Sequence, residues 1–281
     1  MAEGKGTLGI IAGGGQFPGL VADSAKRQGF RVVAVAHRGE TDPSLSDCVD
    51  EIVWIKLGQL GHLIKALKGA GVSRAVMAGT IRKRRLFEGV MPDLKGLGIM
   101  AKLVAFHDDE ILTTLAAEFA KEGIDIVSST TYLPDLLASA GCLTRKRPRK
   151  AETEDIRFGW MVAKELGRLD IGQCVVVKQK TVLALEAIEG TDETIRRGGR
   201  LAEEKAVVIK VSKPHQDLRF DVPSVGLETI RLMQEVKASV LALESEKTLM
   251  FDKAEMIAHA DRAGIAIVGC AEDENGKVRF V

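Results

Sequence analysis

The sequence predicts an α/β protein of two domains, a Rossmann-like parallel sheet in the first half and a mixed α/β layer structure in the second. Three observations carry this. Short apolar runs alternate with runs of helical periodicity from Thr7 to Lys121, the order that builds a parallel sheet through right-handed crossovers. The first run ends in Gly13-Gly14-Gly15, a turn tight enough to bring backbone close to a ligand. Beyond the basic stretch Arg145–Lys150 the pattern shifts to longer Val- and Leu-rich runs. The expected domains are therefore 1–145 and 146–281.

Composition sets the outer limits. The 281 residues are 46% hydrophobic and 28% charged, ordinary for a globular chain with a core in each of two domains. Aromatics are 4%, with Tyr132 the single tyrosine, which argues against stacking bases on aromatic platforms. A formal net charge of +1 gives no global pull toward nucleic acid, so none is expected as a partner. Cys48, Cys142, Cys174 and Cys270 lack metal-ligand spacing and read as reduced and mostly buried, as in a cytosolic protein. No apolar run approaches the roughly 18–20 residues of a membrane span. Peripheral association with a membrane surface stays open.

In chain order, Thr7–Ala12 reads as a strand, Phe17, Leu20, Val21 and Ala25 mark a helix, and Arg31–Ala36 is a second strand. The loop Gly13, Gly14, Gly15, Gln16 offers backbone donors at a helix start, a setting for phosphate. It departs from the nicotinamide fingerprint: the glycines do not fit Gly-x-Gly-x-x-Gly in register, and His37-Arg38 follows the second strand where an acidic ribose ligand would stand. The reading is a phosphate or sugar-nucleotide cradle without nicotinamide, against the plainer one of a structural turn. Glu51–Leu57 is a third strand, Leu60, Leu63, Ile64 and Leu67 a helix, and Ala75–Ala78 a fourth strand ending in Gly79, Thr80, Ile81, Arg82 and Lys83. In an open parallel sheet the carboxyl ends of strands form the ligand crevice. Gly79, Thr80, Arg82 and Lys83 would then join the first glycine loop, with Arg84 and Arg85 as a surface patch.

Leu97–Val104 suggests a helix, and His107, Asp108 and Asp109 precede another through Lys121. Those three residues either hold a metal or form an acidic first turn capped by Asp108. Ile124–Ser128 is a fifth strand whose end brings Thr130 to the same edge, and Leu133–Ala140 reads as a closing helix. Arg145–Lys150 is expected as a solvated basic linker.

The second half opens with a helix, Thr153–Leu169, with Ile156, Trp160, Met161 and Ala163 on its apolar face. Strands follow at Cys174–Val177, Thr181–Ile188, Ala206–Val211, Ala238–Leu243 and Gly264–Val268. The pentapeptide Val-Leu-Ala-Leu-Glu occurs at 182–186 and 240–244, suggesting two similarly placed strands that each end at a glutamate. In Glu186–Asp192, a turn before the helix Glu193–Arg200, Thr191 or Asp192 would cap the helix. Glu186, Glu189, Gly190, Thr191 and Asp192 would alternatively hold an anion or a metal. Lys178, Lys180 and Lys213 follow apolar strand residues and would supply positive charge.

Lys213–Gly226 concentrates functional groups between an apolar strand and a helix: Lys213, His215, Gln216, Asp217, Arg219 and Asp221, with Pro214 and Pro223 restricting the backbone. Positioned carboxylates bind a divalent metal or activate water. A solvated loop with a weak Asp–Arg pair is the plain alternative.

Four motifs together resemble the two-domain UDP-2,3-diacylglucosamine pyrophosphatases of lipid A synthesis: Ile-Ala-Gly-Gly-Gly-Gln-Phe-Pro at 11–18, Ala-Gly-Thr-Ile-Arg-Lys at 78–83, Leu-Glu-Ala-Ile-Glu-Gly-Thr-Asp at 185–192 and Lys-Pro-His-Gln-Asp-Leu-Arg-Phe-Asp-Val-Pro-Ser-Val-Gly at 213–226. These enzymes are distinct from the metallophosphoesterase-fold ones that catalyse the same step. The resemblance covers nearly the whole chain. It implies a substrate cleft between a Rossmann-like domain and a family-specific second domain. It also implies hydrolysis dependent on Mg²⁺ or Mn²⁺, with water attacking the α-phosphorus to give UMP and 2,3-diacylglucosamine 1-phosphate (lipid X). It further implies a cytoplasmic protein, peripheral at the inner membrane of Gram-negative bacteria, and a homodimer. The family's essential aspartate corresponds to Asp221, as catalytic residue and metal ligand, with Asp217 as a possible second. Gly13, Gly14, Gly15, Gln16, Gly79, Thr80, Arg82, Lys83, Thr130, Gly190, Thr191, Asp192, Lys213, Gln216 and Arg219 are the expected substrate-binding set.

Two other readings differ in class. A nucleotide-sugar or dinucleotide oxidoreductase would bind nicotinamide tightly. A non-enzymatic nucleotide-binding regulator using Arg145–Lys150 would bind polyanion with steep salt dependence and turn nothing over.

Overall fold

The structure is a computed structural model that describes residues 5–81, 93, 108–274 and 277–280, without the side chains of 108–111. Two compact units are present, Met1–Leu133 with Leu218–Phe220, and Pro134–Asp217 with Asp221–Val281.

The first unit follows the order that the sequence predicts. It runs β1 (Thr7–Ala12), α1 (Phe17–Arg27), β2 (Arg31–His37), α2 (Leu45–Cys48), β3 (Glu51–Ile55), α3 (Leu60–Gly69), β4 (Arg74–Ala78), α4 (Asp108–Lys121) and β5 (Asp125–Ile126). The strands are parallel in the order β3-β2-β1-β4-β5, that of a Rossmann-like half. β2 is a continuous apolar run because the sheet is covered on both faces. Val33, Val35 and Ala75 pack with Leu63, Ile64 and Leu67 of α3 and Phe119 of α4. The single-turn α2 between β2 and β3 has no periodic signal in the sequence. Arg82–Arg85, the helix expected over Leu97–Val104, and His107 with the side chains of Asp108 and Asp109 lie outside the described residues.

The second unit contains β6 (Gly141–Cys142), α5 (Lys150–Arg168), β7 (Cys174–Lys178), β8 (Thr181–Leu185), α6 (Thr191–Ala202), β9 (Val207–Lys210), β10 (Ser224–Val225), α7 (Leu227–Glu235), β11 (Val240–Glu244), β12 (Leu249–Met250), α8 (Lys253–Ala263), β13 (Ala266–Glu272) and β14 (Val278–Phe280). Its large sheet runs β14-β13-β11-β9-β7-β8, with β6 also paired to β13. Alternate strand residues supply two cores, as a period of two requires. Val176, Val208, Leu241 and Ile267 face Ile195 of α6, Ile230 and Met233 of α7 and Met256 of α8. Val175, Val177, Val207, Ile209 and Ala242 face Ile156, Trp160 and Ala163 of α5. Each of these larger apolar side chains contributes about 1.5–3 kcal/mol by leaving water.

β7 is antiparallel to both β8 and β9, whereas β9, β11 and β13 are parallel. Consequently β8, β9, β11 and β13 end at one edge of the sheet and β7 ends at the other. The two copies of Val-Leu-Ala-Leu-Glu share that direction but not the environment. The first lies in the edge strand β8 and the second in the central, wholly buried β11.

Several local expectations are corrected. Leu133–Ala140 is not a helix; it holds a short 3₁₀ turn at Pro134–Leu136, and Gly141–Cys142 then pairs with β13. Helix α5 starts at Lys150 instead of Thr153, because the Glu152 carboxylate accepts from the Arg149 N–H at 2.7 Å. Met161 is 61% exposed and lies off the apolar face. The basic run is tied down at its start: the Arg145 N–H donates to Asp261 and Lys146 Nζ to the Gly264 carbonyl. Two cysteines, Cys174 and Cys270, are fully buried, and burial pushes both thiols up to about 12. Cys48 and Cys142 are only half-buried.

Candidate active site

At the carboxyl edge of the first sheet the two glycine segments meet. Gly14 and Thr80 exchange backbone hydrogen bonds at 2.8 and 3.1 Å, and the Gly13 N–H donates to the Ala78 carbonyl at 2.7 Å. Gly79 sits at φ +91°, and a Cβ there would stand 2.5 Å from the Gly14 carbonyl oxygen. A Cβ on Gly13 would meet the Thr80 carbonyl oxygen at 2.7 Å. The glycines at 13 and 79 thus make this backbone approach possible. The N–H groups of Gly13 and Gly14 are engaged within the fold, and Gly15 and Gln16 stand just ahead of α1.

Beside this edge, the buried His37 imidazole contacts the Ala12 carbonyl through Nδ1 at 2.9 Å, and the Thr41 hydroxyl donates to the same oxygen at 2.7 Å. Burial lowers the His37 pKa, partly opposed by the Ala12 contact and the Glu40 charge, so the ring favours its neutral form. Thr130 shares a 2.7 Å hydrogen bond with Ser128, whose hydroxyl also donates to the Leu218 carbonyl at 2.8 Å. Arg219 lies over the Phe220 ring at 4.9 Å, and Phe220 packs against the first core. Arg82 and Lys83 fall outside the described residues.

In the second unit, the carboxyl edge of the large sheet gathers the remaining polar groups. Gln216 Nε2 donates to Asp221 Oδ2 at 2.5 Å. The Asp221 N–H donates to the Asp217 carbonyl at 3.2 Å, which closes the turn carrying both carboxylates. Lys213 Nζ pairs with Asp170 Oδ1 at 2.6 Å, leaving 26% of its side chain exposed.

Gly190, at φ +83°, is the N-cap of α6, so neither Thr191 nor Asp192 caps it. The Thr191 hydroxyl instead donates to Glu186 Oε1 at 2.7 Å, and the Gln173 N–H donates to Glu186 Oε2 at 3.0 Å. Glu189 is held by Arg197 at 2.6 Å. Asp192 lies in the first turn of α6, where a negative charge favours the helix dipole.

Lys178 and Lys180 do not join this edge. Antiparallel β7 carries them to the opposite one, where Lys178 Nζ donates to the Ala202 carbonyl and Lys180 pairs with Glu154. Lys210 does stand at this edge, 8% exposed at the end of β9. Its ammonium reaches Thr191 Oγ1 at 3.1 Å and the Ser224 carbonyl at 2.8 Å. Sequence reading passed over it because Val-Val-Ile-Lys looks like a strand simply ending in solvent. Lys210 reaches this edge because β9 runs in the same direction as β8, the strand that ends just before Glu186.

Glu244, at the end of β11, is likewise buried. Its Oε2 accepts from Lys164 Nζ at 2.7 Å and from the Ser212 N–H at 2.8 Å, and its Oε1 lies 2.8 Å from Lys247 Nζ. Burial pushes the Glu244 carboxyl up, but the hydrogen bonds from Lys164, Lys247 and Ser212, with the Lys164 charge, outweigh burial and hold it below the usual value.

Among the described residues no group of three or more His, Cys, Asp or Glu side chains is arranged to hold a metal ion. Asp217 and Asp221, on one closed turn, are the carboxylates there that could contact a divalent ion.

These features define a two-unit α/β protein, with a Rossmann-like parallel sheet and a mixed second sheet whose carboxyl edge carries a carboxylate loop. Residues 7–136 match the model of the LpxI N-terminal domain and residues 139–268 that of the LpxI C-terminal domain. The chain belongs to the LpxI family. It is 34% identical over 278 residues, 95% of this chain and 98% of the other, to the UDP-2,3-diacylglucosamine pyrophosphatase LpxI of Caulobacter vibrioides. A more limited similarity, 29% over 117 residues, links 41% of the chain to 32% of the alcohol dehydrogenase notN of an Aspergillus species.

Proposed function

We propose that this protein is an enzyme that hydrolyses the pyrophosphate of UDP-2,3-diacylglucosamine in lipid A biosynthesis. The observation that carries this reading is its similarity, over 95% of its length, to a protein of that name, with both LpxI domain models matched in order. The oxidoreductase reading is disfavoured, because the dehydrogenase similarity spans under half of the chain. The regulator reading is disfavoured because both LpxI domain models are matched across the chain, the basic run included.

In the proposed reaction a water oxygen bonds to the α-phosphorus, and the bond from that phosphorus to the bridging oxygen breaks. The bridging oxygen leaves with the sugar phosphate, so the products are UMP and 2,3-diacylglucosamine 1-phosphate. Asp221 accepts the proton of the attacking water or orients it, with Asp217 beside it on the same turn. A bound Mg²⁺ or Mn²⁺, held by Asp221 with or without Asp217, would neutralise charge developing on the phosphate oxygens. Gly15 and Gln16 offer backbone N–H groups to a phosphate, with Thr80 and Thr130 near that edge. Arg82 and Lys83 would add positive charge.

A substrate with two acyl chains resides in a lipid phase, so peripheral contact with the cytoplasmic face of the inner membrane belongs to the same reading. No helix among the described residues is long and apolar enough to cross a membrane. The homodimer also belongs here. Sedimentation with and without vesicles tests both, and a monomer indifferent to lipid would remove them.

The decisive experiment follows turnover of UDP-2,3-diacylglucosamine in ¹⁸O-labelled water by the wild type, with and without chelator, and by Asp221→Asn. Metal-dependent release of labelled UMP, lost in folded Asp221→Asn, is expected. No turnover by folded wild type with either metal would overturn the activity. Full activity in Asp221→Asn would overturn the role of that residue.

A further inference from the structure

Asp221 protrudes into solvent from an irregular loop, yet its carboxylate is linked by successive hydrogen bonds to a buried ion pair at the end of β11. Lys164 Nζ and the Ser212 N–H both donate to Glu244 Oε2, and Lys164 Nζ also reaches the Ser212 carbonyl at 3.3 Å. This fixes the backbone of Ser212 on both sides. The Ser212 hydroxyl then donates to Gln216 Oε1 at 3.1 Å, and the Lys213 N–H donates to the same oxygen at 3.0 Å. A backbone N–H can only donate, so Oε1 must face Lys213. The other end of the amide, Nε2, must therefore face Asp221, where it donates to Oδ2 at 2.5 Å.

We propose that Gln216 is a positioning residue for Asp221: the Glu244–Lys164 pair and Ser212 orient its amide, and the amide fixes the Asp221 carboxylate for reaction. This rests on the proposed role of Asp221 and replaces substrate contact as the role of Gln216. Only one oxygen of Asp221 is taken by Gln216, so Oδ1 is left to act on water or metal. A loop carboxylate otherwise samples several rotamers, and displacement of a reacting group by about 1 Å can cost a factor of about 100 in rate. The relay transmits the rigidity of a central strand to a residue on a loop.

The test compares kcat and KM for the wild type, Gln216→Ala, Gln216→Glu, Ser212→Ala and Asp221→Asn, each checked by thermal melting. Gln216→Glu keeps the size and an acceptor for Ser212 and Lys213 but sets a carboxylate oxygen against Asp221. The expected result is a kcat lowered by about 10- to 100-fold in Gln216→Ala, at least as much in Gln216→Glu, and less in Ser212→Ala, with KM within about threefold throughout. A kcat within threefold of wild type in folded Gln216→Glu, or a loss confined to KM, would overturn the relay. If Gln216→Glu does not fold, Gln216→Ala decides by the same threshold. Should Asp221→Asn retain wild-type turnover, the underlying assignment fails instead, whatever the Gln216 variants do.

Discussion

Lys164 on α5 and Glu244 at the end of β11 form a 2.7 Å ion pair with 16% and 6% of their side chains exposed. It spans two layers of the second unit, and each partner has further polar contacts, Lys164 with the Ser212 carbonyl and Glu244 with the Ser212 N–H and Lys247. Removing Lys164 strips the buried Glu244 carboxylate of one of its two cationic partners, leaving Lys247 and the Ser212 N–H. Lys164→Met is therefore expected to cost about 1–3 kcal/mol in urea unfolding, and Lys164→Met with Glu244→Leu distinctly less than the sum of the single changes. Additive losses would show that the pair is not coupled.

The same pair sets an acid limit. The folded-state pKa of Glu244 is depressed below its ordinary value of 4.5, so below that pH the unfolded chain binds more protons than the folded one. The stabilisation is fully present above about pH 4.5 and is lost as pH falls through the lower folded value. Unfolding free energy measured from pH 6 downward should decline in this window, and Glu244→Gln should flatten the decline. An equally steep fall in the variant would assign the acid sensitivity to other carboxylates.

At the other sheet, Gly79→Ala forces a side chain onto a backbone at φ +91° and pushes its Cβ to 2.5 Å from the Gly14 carbonyl oxygen. Strain of this kind costs about 1–3 kcal/mol, and the clash adds to it. A clear drop in melting temperature is expected, whereas Gly69→Ala, with open space around its Cβ and a helical position, should be neutral or stabilising. Equal effects at the two positions would remove the special role of the Gly14–Thr80 exchange.

Much of the first unit is legible in the sequence because its strands are uninterrupted apolar runs separated by helices of clear periodicity. Val32–Ala36 and Leu63–Leu67 declare their structures before any partner is known. The second unit is less transparent. Nothing in Cys174–Lys178 tells that β7 reverses direction, so Lys178 and Lys180 were expected at the edge that Lys210 occupies. The repeated pentapeptide correctly marks two strands ending at buried glutamates, but local sequence cannot tell an edge strand from a central one. The Asp221 loop is conspicuous for its charged residues. The partner of each group there is set by Ser212 and Glu244, brought near by tertiary structure alone.

The reversal of β7 also bears on how the second unit assembles. β7 and β8 are joined by only Gln179 and Lys180, both at positive φ, so their pairing closes a short loop and forms at small entropic cost. Every parallel pairing in that sheet waits for a helix-containing crossover. In chain order the β7–β8 hairpin precedes β9, β11 and β13, so its pairing needs none of them, whereas the strand that carries Glu244, and with it the ion pair behind the Asp221 loop, needs both a crossover and β9 beside it.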